Sequence, residues 1–352
     1  MINKELSKKI LTVGPRYKIP LGGIAQLMYN YRQDAFEEYR VIVNSGSKLP
    51  LRKAYYLISG LIKFLALMIF DWRIRIVHIH TASNNSFRRS SFFVFLTKVF
   101  FRKVILHIHS GDFFDYYDKK KNYIDRVLNM CETIIVLTPM WKKMLIEASG
   151  HKNIQVLGNI IPKPFLSKEH YNDNVVHFLF MARITEAKGV FDLLKTVFEN
   201  HELLENRAIF HIAGKGMNDE LVQKINEYNI SDLVKYEGWV SGAAKNSLLN
   251  KCDIFILPTH FEALSLSILE AMSYRKPIIA TRVGGIPSIV EHNYNGLLFE
   301  KGDFQNMINH IMYFIEHPDK ITEMGSNSEI IVSQYYPESI VPKLQYIYES
   351  LL

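Results

Sequence analysis

The stretch DIFILPTHFEALSLSILEAMSYRKPIIA, residues 253–280, decides the fold. The apolar run up to Pro258 reads as a buried strand, so residues 259–263 form the loop at its carboxyl end. Leu266, Leu269 and Met272, spaced by three, give the following segment the core stripe of a helix. That helix is expected to end near Arg275 and Lys276, before Pro277 opens a second strand. Two acids stand out. Glu262 precedes the helix, and Glu270 is expected about two turns into it.

The same alternation extends in both directions. On the N-terminal side the strands are KILTV, RVIVNS, IRIVHIHTA, KVILHIHSG, TIIVLTP and NIQVLGNII, separated by amphipathic segments such as GGIAQLMYNYRQDAFEEY. Nearer the opening stretch they are VVHFLFMAR, AIFHIAG and VKYEGWV, and beyond it GLLFE. Near-continuous apolar strands alternating with helices indicate parallel sheets covered on both faces, an α/β fold. The turn-rich IPKPFLSKEHYNDN interrupts the series. Two doubly wound domains, 1–163 and 164–333, follow. Ligands of such sheets sit at the carboxyl ends of the strands, which here predicts the cleft between the domains.

Composition narrows the class. With 352 residues and 48% hydrophobic content the chain is globular and long enough for two cores. Cys131 and Cys252 lie far apart beside apolar runs, so buried free thiols in a reducing compartment are expected. The N-terminus lacks the pattern of a signal peptide. Residues 1–163 hold 26 Lys+Arg against 11 Asp+Glu, a net of +15, and the rest holds 16 against 24, a net of −8. Such asymmetry points the first half at an anionic partner, membrane or nucleic acid, or simply at solvent. Residues 54–70 are an apolar run interrupted by Lys63, flanked by Arg52, Lys53, Trp72, Arg73 and Arg75. This composition suits a helix resting on an anionic leaflet, and also a core helix.

The acids and their surroundings suggest chemistry. A helix beginning after Glu262 turns backbone N–H groups near Leu264, Ser265 and Leu266 towards the strand ends, a site suited to phosphate. A carboxylate accepting both hydroxyls of a ribose would complete a nucleotide site. The whole segment PTHFEALSLSILEAMSYRKPIIATRVGGIPSIVEHNYNGLLF resembles the nucleotide-binding domain of retaining glycosyltransferases of the GT-B fold. These form the large family 4, glycosyl transferases group 1. The ordered marks are Glu262, Glu270, Pro277, Gly284-Gly285 and Asn295-Gly296, supported by GGIAQ, ARITEAKG and IAGKG elsewhere.

The resemblance implies two Rossmann-like domains, the first for the acceptor and the second for a nucleotide sugar. It also implies that 334–352 forms a helix packing back on the first. It assigns Glu262 to the donor sugar and Glu270 to the ribose. It makes Gly22-Gly23 the loop that lets backbone approach donor phosphate or sugar, and it sets His109 beside the reacting carbon. Arg183 and Lys188, five apart after a strand, are two cations that can stabilise a departing diphosphate. The chain holds no D-x-D pattern, in keeping with transfer that needs neither metal nor cofactor.

The implied reaction moves a sugar, with retention, from a UDP-sugar or GDP-sugar to a saccharide or lipid-linked acceptor. The setting would be bacterial surface polysaccharide synthesis, in the cytoplasm and peripheral to the inner face of the membrane. A 2-epimerase of the same architecture and a basic nucleic-acid-binding protein are the rivals. The paired H-x-H strands suggest a metal, but no third ligand follows from spacing. His78 and His107 read as core residues, and His80 stays open. Departures from the family pattern occur at Ala263, at Ser288 and after Asn159.

Overall fold

A computed structural model describes residues 1–18, 22–46, 50–167, 169–171 and 173–352, with side chains left aside at 50–53. The chain forms two compact units, Met1–Pro162 with Tyr335–Leu352, and Lys163–Gln334.

In the first unit the strands are β1 (Ile10–Pro15), β2 (Val41–Ser45), β3 (Ile76–Thr81), β4 (Lys103–Ile108), β5 (Thr133–Val136) and β6 (Ile154–Val156). The helices are α1 (Lys4–Ser7), α2 (Gly23–Asn30), α3 (Pro50–Phe70), α4 (Asn84–Val99), α5 (Phe113–Leu128) and α6 (Pro139–Ser149). All strand pairs are parallel, in the order β2-β1-β3-β4-β5-β6. Local chemistry sets the element ends. Helix α6 starts with Pro139, is capped by Thr138 accepting from Trp141 N at 3.3 Å, and stops at Gly150 in the left-handed region. The long segment after Gly22 departs from the expected regular helix, because α2 passes at Tyr31 into a π-helical turn, Tyr31–Ala35.

In the second unit the strands are β7 (Val176–Met181), β8 (Ala208–Ala213), β9 (Val234–Gly238), β10 (Ile254–Leu257), β11 (Ile278–Thr281) and β12 (Gly296–Phe299). The helices are α7 (Val190–Glu199), α8 (His201–Leu204), α9 (Asn218–Glu227), α10 (Gly242–Lys251), α11 (Leu266–Ser273), α12 (Phe304–Glu316) and α13 (Pro318–Val332). Again all pairs are parallel, in the order β12-β11-β10-β7-β8-β9. Strands β10 and β11 are buried throughout, as sheets covered on both faces require. Helix α7 buries Val190, Leu193, Leu194 and Val197, an i, i+3, i+4, i+7 stripe.

A last helix, α14 (Pro337–Glu349), belongs to the first unit. It buries Ile340, Val341, Leu344, Ile347 and Tyr348, and Tyr335 O accepts from Ile161 N at 3.1 Å. Both cysteines are free and buried. Among the described residues no helix is long and apolar enough to cross a membrane. The side chains of Arg52 and Lys53, and Leu21 of LGGIAQ, lie outside the described residues.

Candidate active site

In the second unit, winding reverses between β7 and β10, which pair although some seventy residues separate them (Ile254↔Phe178, Phe255↔Leu179). Their carboxyl ends therefore lead into loops that diverge, the place where open α/β sheets take ligands. The loop after β7 carries Arg183, exposed two residues past the strand, and then the 3-10 turn Glu186–Lys188. The loop after β10 carries Glu262.

These two loops are stitched together. Ala187 O accepts from His260 N at 2.9 Å and from Thr259 Oγ1 at 3.1 Å, and His260 Nε2 meets Asp192 Oδ2 at 2.7 Å. Lys188 Nζ then reaches Glu262 Oε2 at 2.5 Å, both side chains partly buried. Gly189 closes the first loop at φ +72°, where an added Cβ would lie 1.9 Å from Pro258 O. A third loop, after β11, holds the acid from below. Gly284 sits at φ +53° with room for a hydrogen only, since a Cβ there would fall 1.7 Å from Glu262 O. Gly285 N donates to that same oxygen at 3.2 Å. The Gly-Gly turn read as a family mark thus fixes the backbone of Glu262.

Helix α11 starts at Leu266, later than expected, so Glu270 is its fifth residue and lies one turn in, not two. Ser265 is the cap, and its Oγ accepts from Ile268 N at 3.3 Å. Leu264, expected beside the helix tip, is buried two residues before the first helical residue. The N–H groups of Leu266 and Ser267 open the helix and have no intrahelical acceptor. They carry the positive end of the helix dipole.

Glu270 is only 9% exposed, and Lys245 Nζ of α10 donates to its Oε1 at 2.8 Å. A carboxylate so buried stays charged only when partnered. Sequence reading missed Lys245, and SGAAKNSLL holds no signal that could have found it. The site thus contains two Lys–Glu pairs, at opposite ends of the E-x7-E spacing.

In the first unit the glycine pair opens α2. Gly22 is fully extended (φ 177°), and a Cβ on Gly23 would meet nothing within 4 Å. Neither glycine is demanded by the conformation, and the open space beside Gly23 would admit a side chain. Strands β3 and β4 bring four histidines into a stack. His80 Nδ1 lies 2.9 Å from His109 Nε2, and His78 Nε2 lies 3.2 Å from His107 Nδ1. Tyr348 of α14 reaches His78 Nδ1 at 2.7 Å. Burial holds all four rings neutral, pushing His80 down to about 3 and the others well below the usual histidine range.

His78, His80 and His107 each bring a ring nitrogen to within 4.8 Å of the others, a third neighbour that spacing along the chain did not reveal. The pairing of β3 with β4 supplies it. The rings stack nearly parallel (10° between His78 and His107, 27° between His78 and His80), whereas imidazoles around one ion radiate from it. The nitrogens between His78 and His107 are spent on each other. His78, His80 and His107 are thus core histidines, and His109, half-buried, is the member at the strand end.

A doubly wound α/β unit thus gathers Arg183, two Lys–Glu pairs and the tip of helix α11 around the winding reversal of its sheet. Residues 164–330 match the family described as glycosyl transferases group 1, and this part of the chain belongs to that family. The chain is 26% identical over 252 residues to a poly(ribitol-phosphate) alpha-N-acetylglucosaminyltransferase of Staphylococcus aureus, covering 70% of this chain and 50% of that one. It therefore spans half the length of that relative. Among solved structures, a sucrose-phosphate synthase of Thermosynechococcus elongatus superimposes with a TM-score of 0.78 at 16% identity, covering 100% of this chain and 99% of that one. Anabaena HepE, solved in complex with UDP-glucose, gives 0.75 at 19%, covering 97% and 99%. These likenesses show the fold, which is GT-B.

Proposed function

We propose that the protein is a retaining glycosyltransferase that moves a sugar from a nucleotide diphosphate sugar, a UDP-sugar, to a saccharide or lipid-linked acceptor in surface polysaccharide synthesis. The observation that carries this reading is the set of groups at the β7/β10 reversal: Lys188 on Glu262, Arg183 in the same loop, and a helix tip with Glu270 one turn in. In this reading Glu270 accepts the two ribose hydroxyls and exchanges Lys245 for them. The diphosphate lies against the first-turn N–H groups of α11, with Arg183 and Lys188 as its cations.

Lys188 is paired with Glu262 in the free protein. Donor entry gives it a phosphate instead and frees the Glu262 carboxylate for a sugar hydroxyl. Charge developing on the diphosphate as the glycosidic bond breaks is met by cations already in place, so transfer proceeds without metal or cofactor. Proton and acceptor sit on the same face of the sugar as the departing phosphate, which takes up the acceptor proton and yields retention. By the family resemblance, His109 and Gly22-Gly23 of the first unit are assigned to the donor sugar and phosphate. In this reading the basic first half faces an anionic membrane surface, which its net charge of +15 over residues 1–163 supports.

The test is a thermal-shift screen over UDP- and GDP-sugars, since a ligand bound only by the folded chain raises its midpoint by mass action. The hit is then turned over with acceptor while the anomeric proton of the product is followed by NMR. An inverted product, or product formed from donor with no acceptor present, overturns the reading.

A further inference from the structure

Helix α3 is apolar on both sides. Phe64 and Met68 are buried against the sheet beside β2, and the Phe64 ring meets Phe93 of α4 at 5.2 Å. On the opposite side Ile58, Ile62 and Ile69 form one stripe at helical spacing, each more than half exposed. A helix apolar all round belongs inside a larger core or against lipid, and an uncovered patch of this kind marks an interaction surface.

The stripe runs to an edge of the sheet built by two adjacent turns. Strands β3 and β4 start side by side (Ile76↔Lys103), and Lys103 N donates to Arg75 O at 2.9 Å. The turn leading into β3 presents Trp72, 77% exposed, and the turn leading into β4 presents Phe101, 93% exposed. Phe101 adopts φ +53°, a left-handed conformation that costs a bulky residue energy, and still points its ring away from the core. Arg75 and Lys103 are exposed on the same edge, and Lys63 flanks the stripe. Because α3 follows β2, its other end starts at the carboxyl edge of the sheet.

We infer that the outer face of α3 and the Trp72/Phe101 edge form a docking surface for a bilayer containing anionic lipids. Aromatic rings at the headgroup level, aliphatic side chains below them and cations facing phosphate are the composition such a boundary selects. A second copy of the chain on this face would set cations against cations, which disfavours association. The inference builds on the membrane-apposed reading proposed above, and names the surface that carries it.

The test uses the full chain in flotation with vesicles of phosphatidylcholine alone or mixed with phosphatidylglycerol. The unsubstituted protein should float with the anionic vesicles and be released by salt. Ile62→Glu/Ile69→Glu and Trp72→Ser/Phe101→Ser should each lower partitioning at least about tenfold, the factor that losing one fully buried side chain of this size brings. All four positions are exposed, so melting temperature should not move. Failure of the unsubstituted protein to float, or undiminished binding by both variants, overturns the inference. So does a dimer in solution that the same substitutions dissociate. UDP titration of the same preparations separates the two readings. Binding of UDP without flotation removes the surface and the membrane placement but leaves the donor site. Flotation undiminished in both variants removes this surface alone, and flotation without UDP binding removes only the donor site.

Discussion

Replacing Glu270 gives the sharpest test of the proposed nucleotide site, because its structural role and its proposed ligand role can be separated. In the free protein the carboxylate is 9% exposed and paired with Lys245 at 2.8 Å. Glu270→Ala leaves Lys245, with 21% of its side chain exposed, without that partner. Fully buried pairs lose roughly 3–5 kcal/mol when one member goes, and partial exposure lowers the expected cost to about 1–2 kcal/mol. The ligand effect is larger. Two ribose hydroxyls donating to a charged acceptor contribute about 1.5–3 kcal/mol each. Part of that is offset by giving up Lys245. A net of about 3 kcal/mol corresponds to a rise in the Kd for UDP of about 150-fold.

The assay is calorimetric titration of the native protein and Glu270→Ala with UDP and with 2′,3′-dideoxyuridine diphosphate. Removal of the hydroxyls should weaken binding to the native protein by a similar factor and leave binding to the variant almost unchanged. Glu270→Gln keeps the shape and a contact for Lys245, restoring most of the stability but not the affinity. Equal losses for the hydroxyl-free ligand in native and variant protein would refute the reasoning, since the two groups would then not be in contact.

Further outcomes follow from the same geometry. Lys188→Ala should lower kcat by about 10–100-fold with a smaller change in KM, because its worth rises as the diphosphate departs; steady-state rates with a saturating donor check this. Gly284→Ala forces a Cβ to within 1.7 Å of Glu262 O at φ +53° and should cost at least about 2 kcal/mol in denaturant titration while displacing the acid. Acid should unfold the first unit. His80 falls from 6.5 to about 3 on folding, so between those values the unfolded chain binds the extra proton. Stability is therefore complete above about pH 6.5 and lost as pH falls towards 3, by about 2–3 kcal/mol at pH 4.5 for this ring alone. Replacing His80 with Asn should flatten that slope in melts taken from pH 7 to 4.5.

Local periodicity alone located every named strand of both sheets, since a strand buried on both faces leaves an uninterrupted apolar run and a covering helix leaves a stripe. It also set Glu262 before a helix and Glu270 within it, because the stripe is written in neighbouring residues. What neighbouring residues cannot express is which distant groups meet. Lys188 reaches Glu262 only because β10 pairs with β7 across the winding reversal, and Lys245 reaches Glu270 from a helix whose sequence marks nothing. The third histidine of the stack comes from the β3–β4 register, and the need for Gly284 comes from a carbonyl 22 residues earlier in the chain. Covalent order fixes spacing along the chain, whereas ion pairs and steric exclusion depend on separation in space, and parallel crossovers decouple the two.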